Sequence, residues 1–172
     1  MQNLKAKKDS NTSKEATKQK VYTFGLRNEI PLTEEQKKQA LSYAINNCGM
    51  PEENIVFNDD MNTYYSSLFG EDRLSIGTDV LPVVTGSYAN SRISMYGAIA
   101  HELIGHRRAA LFGKTQTNPL LEEVQASIRA ARFAPKLTNV ERVTLRRDAL
   151  ERLHKINFRV KEVKTQLWIN EP

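Results

Sequence analysis

The chain has 172 residues, 40% of them hydrophobic and 26% charged, with a net charge of +5. That length suits one compact domain with a sizeable core, and no run approaches the roughly 18 apolar residues of a membrane span. The polar start is not expected to act as an export signal, and the single cysteine, Cys48, closes no internal disulfide and reads as a small core residue.

The positive charge is unevenly placed. Residues 1–20 hold six lysines against Asp9 and Glu15, so this tail carries +4 and leaves +1 for residues 21–172. A nucleic-acid face on the domain is therefore not expected. The tail is rich in Ser, Thr, Asn and Gln and too poor in apolar side chains to offset the entropy of ordering. Residues 1–20 read as a disordered lysine-rich linker, and residues 21–172 as the domain.

Thr33-Glu34-Glu35-Gln36 is a capping box, and Gly49 supplies a stop, which predicts a helix over 34–48. Leu41, Ala44, Ile45 and Cys48 recur on one face as its buried stripe, with Lys37, Lys38 and Gln39 facing water. Residues 54–58, with Ile55, Val56 and Phe57, read as a short buried strand, and Leu74 and Ile76 as alternating positions of a half-exposed one. Tyr64, Tyr65, Leu68 and Phe69 form a further strand before the Gly70 turn. A central helix follows from Ser94 to Phe112, stopped by Gly113. Asn118-Pro119 starts a helix to Ala134, and the capping box Thr138-Asn139-Val140-Glu141 starts another to His154. The last segment, with Phe158, Val160, Val163, Leu167, Trp168 and Ile169, is apolar enough to dock, as helix or as strand. The order of elements gives an α+β domain, mostly helical, with a small sheet packed on the central helix.

That central helix carries His101-Glu102-Leu103-Ile104-Gly105-His106, two imidazoles around a carboxylate in the order used by zinc hydrolases. In the H-E-x-x-H pattern the histidines differ by only about 40° around the helix, whereas a spacing of five turns the second imidazole by about 140°. An unbroken α-helix could not bring both to one ion. A single π-type turn absorbs the extra residue and restores a common face, and Gly105 lowers the steric cost of an unusual backbone there.

A catalytic zinc site needs three protein ligands and one open position. Glu123 shares its stripe on the following helix with Ala126, Ser127 and Ala130, whose small side chains let two helices approach, and it is the expected third ligand. Glu122, on a polar stripe with Gln125, Arg129 and Arg132, is second, and His154, among charges near a helix end, third. Glu102, beside a ligand without being one, is placed to take the proton of an attacking water and return it to the leaving amine. The alternative for Glu102 is a surface ion pair with Arg107 or Arg108. Tyr88, Tyr96, Arg107 and Arg108 all suit oxyanion stabilisation by type and none by spacing. A strand over Leu74–Thr78 could offer an edge to an extended peptide.

The stretches Ala100-His101-Glu102-Leu103-Ile104-Gly105-His106-Arg107, Leu121 through Pro135, and Glu141 through Leu153 resemble the C-terminal domains of bacterial RHS-repeat polymorphic toxins, over roughly residues 70–169. The H-E-x-x-x-H spacing is also similar to that of TldD-like proteases, whose third ligand is a downstream cysteine that this sequence lacks. The resemblance implies a zincin-like zinc metallopeptidase effector, with His101 and His106 as ligands and Glu102 catalytic. It implies synthesis in a bacterial cytoplasm within a larger secreted carrier, action in a target cell, a protein or peptide substrate and a cognate immunity protein. The competing readings are a non-catalytic metal-stabilised interaction module and a cell-wall amidase.

Overall fold

A computed structural model describes residues 27–58, 62–83 and 85–172; the predicted linker at residues 1–20 lies outside the described residues. The fold is α+β, a set of helices with one three-stranded sheet. Among the described residues no helix is long and apolar enough to cross a membrane.

Helix α1 spans Glu34–Cys48. Gln36 N donates to Thr33 Oγ1 at 3.2 Å, Thr33 N donates to Gln36 Oε1 at 2.9 Å, and Gly49 closes the helix in the left-handed region at φ 68°. Its buried face is Ala40, Tyr43, Ala44 and Cys48, so the expected stripe is rotated and Leu41 and Ile45 are only half-buried. Tyr43 is the reason. Its ring stacks on Tyr96 with centroids 4.7 Å apart, and its hydroxyl donates to Pro135 O at 2.9 Å, so a large aromatic buries area without orphaning its polar end.

Strands β1 (Ile55–Phe57), β2 (Tyr64–Ser66) and β3 (Arg73–Ile76) form a sheet in the order β1-β3-β2, with β1 parallel and β2 antiparallel to β3. The stretch expected to be a buried strand, β1, is an edge, with Val56 41% exposed, whereas β3 is central, with Leu74, Ser75 and Ile76 all buried. A strand paired on both sides has no free edge, so β3 cannot accept a peptide by strand addition. Strand β2 ends at Ser66, and Leu68–Gly70 is a tight 3-10 turn that leaves Leu68 and Phe69 exposed.

After the short helix α2 (Ala89–Arg92), Ser94 caps α3 (Met95–Ala100) by accepting from Gly97 N at 3.0 Å. A π segment over His101–Arg107 follows, then α4 (Arg108–Leu111), ending at Gly113 with φ 63°. Ile99, Ala100, Leu103 and Ile104 are fully buried in the main core with Leu74 and Ile76. Helix α5 (Pro119–Phe133) is capped by Asn118, and α6 (Asn139–Lys155) by the reciprocal Thr138 and Glu141 pair. The two pack side by side, α5 crosses the π segment, and β2 lies against that segment from the other side.

The C-terminal segment docks through a single turn of helix, α7 (Val160–Val163), and then in extended or bent form. Val163, Leu167 and Ile169 form a second core with Leu121, Val124, Ala149 and Leu153. The polar stripe of α5 is not a solvated face: Gln125 and Arg129 are fully buried. Arg129 Nη1 donates to Trp168 O at 2.6 Å, Arg132 Nη1 to Ile169 O at 2.6 Å, and Trp168 N to Gln125 Oε1 at 2.8 Å. These side chains bond the backbone of a terminal segment that pairs with no strand among the described residues.

Candidate metal centre

The π segment decides the geometry of the motif. Widening the turn over His101–Arg107 swings His106 back over His101, so their Nε2 atoms lie 3.1 Å apart with the rings at 77°. Gly105 is needed for a different reason from the one expected. A Cβ at this position would lie 2.7 Å from the Cα, Cβ and carbonyl oxygen of Ala126, so the glycine serves the close crossing of α5 rather than any unusual backbone torsion. Ala126 is the small residue on the other side of that crossing, and the crossing delivers the preceding residues of α5 to the histidines.

Glu123 arrives with Oε2 3.2 Å from His101 Nε2 and Oε1 3.4 Å from His106 Nε2. Glu122 reaches the other face of His106, its Oε1 3.2 Å from Nδ1, while its Oε2 accepts from Gln116 N at 2.6 Å. A carboxylate only accepts in such a contact, so Glu122 holds the proton on His106 Nδ1 and leaves Nε2 as the nitrogen an ion would engage by displacing its proton. Both glutamates thus reach the motif, but from opposite sides of the imidazole. His154 is exposed, about 200° around α6 from Arg152, and takes no part.

Glu102 lies beside the pair, and the ligand atoms of His101, Glu102 and His106 all fall within 4.8 Å of one another, a group that could hold a metal ion. Glu102 is half-buried, and its carboxylate accepts from Tyr65 N on the outer edge of β2 at 2.9 Å. The surface ion pair is not formed, because Arg107 engages Asp72 instead, through two bonds of 2.7 and 2.8 Å. Burial pushes the Glu102 carboxyl above its ordinary range, against the pull of both imidazoles and the Tyr65 amide. Burial also opposes charge on His106, but the hydrogen bonds to Glu122 and Glu123 outweigh it and lift the imidazole to about 10. Glu123, despite its own burial, is held well below the usual carboxylate range by the two imidazoles. The centre therefore favours positive charge between His101, His106 and Glu123.

The donor set suits a metal ion. Nitrogen and oxygen ligands held about 2.0–2.1 Å from one tetrahedral ion sit about 3.3 Å from each other; the two Nε2 atoms lie 3.1 Å apart, and each faces a different oxygen of the Glu123 carboxylate, Oε2 at 3.2 Å from His101 and Oε1 at 3.4 Å from His106. The centre opens into a cavity of about 640 Å³ whose wall includes Tyr65, Ser67, Asn90 and Thr115.

Of the residues at the centre, sequence reasoning missed Arg152, whose Nη1 donates to Glu123 Oε2 at 3.0 Å, and Asp148, one helical turn before it. Their i,i+4 spacing on α6 was visible, but the same pattern recurs on ordinary helix surfaces. Tyr88, Tyr96, Arg107 and Arg108, considered for oxyanion stabilisation, do not line the cavity. Comparison of the chain with family models, with curated proteins and with solved structures returned no match.

Proposed function

We propose that this chain is a zinc-dependent metallopeptidase of zincin-like design, acting as the effector domain of a secreted bacterial polymorphic toxin. The reading rests on one observation, the convergence of His101 Nε2, His106 Nε2 and the two oxygens of the Glu123 carboxylate within 3.1–3.4 Å on the wall of a large cavity. His101, His106 and Glu123 would hold the ion. When bound, zinc polarises a substrate carbonyl and lowers the pKa of water. Glu102 takes the proton of the attacking water on its carboxylate, whose raised proton affinity suits a general base, and delivers it to the departing amine. The amide of Tyr65 keeps that carboxylate turned toward the centre. Three donors beside an open cavity favour a catalytic site over a structural one, which would close its fourth position with a further protein ligand. The likeness of the motif helix and of α5 and α6 to RHS toxin domains supports delivery by a larger carrier, action in a target cell and neutralisation by an immunity protein.

The test is elemental analysis of untagged protein joined to hydrolysis assays. Wild type is expected to carry about one zinc and to cleave a protein substrate. Glu102→Gln should retain the zinc and lose turnover, and Glu123→Ala should lose both. Cleavage of peptidoglycan fragments with proteins left intact would reassign the enzyme as a cell-wall amidase. Retained hydrolysis by zinc-loaded Glu102→Gln would remove the general-base role. Expression in a bacterial host should slow growth and His101→Ala should relieve it; equal toxicity of the two would count against the effector reading.

A further inference from the structure

Helix α6 closes a ring of side chains around the first histidine. Ser127 Oγ lies 3.0 Å from His101 Nδ1 and donates to Asp148 Oδ2 at 2.6 Å. Arg152 Nε donates to the same Asp148 oxygen at 2.8 Å, and Arg152 Nη1 donates to Glu123 Oε2 at 3.0 Å. Glu123 Oε2 returns to His101, at Nε2. Ser127 is fully buried and Asp148 is 2% exposed, so the bond between them is shielded from solvent, whereas Arg152 and Glu123 line the cavity.

Proton counting fixes the direction of the ring. A hydroxyl has one proton to give. The Asp148 carboxylate, ion-paired with Arg152, can only accept it, so Ser127 Oγ must accept from His101. His101 Nδ1 therefore carries a proton, and Nε2, which faces His106 and Glu123, is the nitrogen left to bind an ion once its own proton is displaced. At the other end, Arg152 holds Glu123 Oε2 and sets how that carboxylate is presented.

We infer that Ser127 and Asp148 are positioning residues that set the tautomer of His101 through a hydroxyl relay, and that Arg152 couples the same relay to Glu123. The inference rests on the metal-site reading above. Partners of this kind orient metal-binding imidazoles, and their loss typically weakens metal affinity by about 10–100-fold. The relay differs from the arrangement at His106, where Glu122 acts directly on Nδ1. Aligning α5 on α6 is therefore a requirement of the metal centre as well as of the core.

The full chain tests this by zinc competition with a chromophoric chelator and by ¹⁵N-histidine NMR of the zinc-free protein, for wild type, Ser127→Ala, Ser127→Thr and Asp148→Asn. Ser127→Ala is expected to keep the helical circular dichroism of wild type, to bind zinc about 10–100-fold more weakly and to lose the slowly exchanging Nδ1 proton of His101. Ser127→Thr, which retains the hydroxyl, should restore both. Asp148→Asn, whose amide can donate back to the hydroxyl, should weaken zinc binding with its fold intact. If wild type binds zinc and Ser127→Ala binds it equally with the same His101 resonances, the relay is overturned and the metal site stands. A wild type that takes up no zinc overturns the metal reading and the relay with it.

Discussion

Two imidazoles and three carboxylates share a space in which proton and metal compete. His106 is lifted from its ordinary 6.5 to about 10, so the stability it contributes to the metal-free protein is fully present below pH 6.5 and is lost as pH rises through about 10. Glu123 has the opposite sign: its depressed carboxyl contributes stability above 4.5 that is lost as the pH falls. Metal-free protein should therefore lose thermal stability between pH 6.5 and 10, and His106→Ala should flatten that slope; parallel Tm profiles would reject the assignment. On the proposed zinc reading the ion would displace the His106 proton, so its stabilising effect should grow over the same interval, measured as the zinc-induced rise in Tm at each pH. The chemistry at this scale was written in the motif. What the sequence did not display is that Glu122 and Glu123, adjacent in the chain, would divide between the two faces of one imidazole.

At the scale of elements, the centre depends on a widened helix meeting a helix of small residues. A side chain at position 105 would strike the backbone of Ala126, which cannot move without shifting α5. Gly105→Ala is expected to destabilise the protein by about 1–3 kcal/mol through overpacking, seen in denaturant unfolding. It should also weaken zinc binding, because separating the helices carries Glu123 away from the Nε2 pair. Unchanged stability would mean that the crossing is softer than its geometry. The helix ends were legible because capping is local: Thr33, Asn118 and Thr138 sit beside the amides they satisfy. Sheet burial was not legible for the complementary reason. Ile55 to Phe57 and Arg73 to Ile76 are similar short runs, and which became the central strand was set by pairing with β2, a partner outside either run.

Across the whole molecule, polar side chains staple irregular segments to the helical frame. Arg27 is half-buried and donates to the carbonyls of Val80 at 2.9 Å and Ile93 at 2.8 Å, and also to those of Asp79 and Asn90, tying the chain ahead of α1 to the cavity wall. Arg27→Ala should cost at least the about 1–3 kcal/mol of one orphaned buried carbonyl, read as a lower denaturation midpoint. At the other end Leu167, 4% exposed, anchors the last segment in the second core. Leu167→Ala should cost about 2–5 kcal/mol, at roughly 2–4 °C of Tm per kcal/mol. A negligible change would show that this segment contributes little to the cooperative fold.

Read alone, the sequence determined the ends of α1, α5 and α6 to within a residue, the α+β class, the motif and the need for a widened turn between histidines five residues apart. All of these follow from interactions within about one helical turn, where spacing along the chain is distance in space. The tertiary structure alone decided which strand is central, why Gly105 must lack a side chain, and that Asp148 and Arg152 of α6 reach back to Ser127 and Glu123. Those outcomes depend on the angle and distance at which separate helices and strands meet. Such contacts join residues dozens of positions apart, and no local pattern records them.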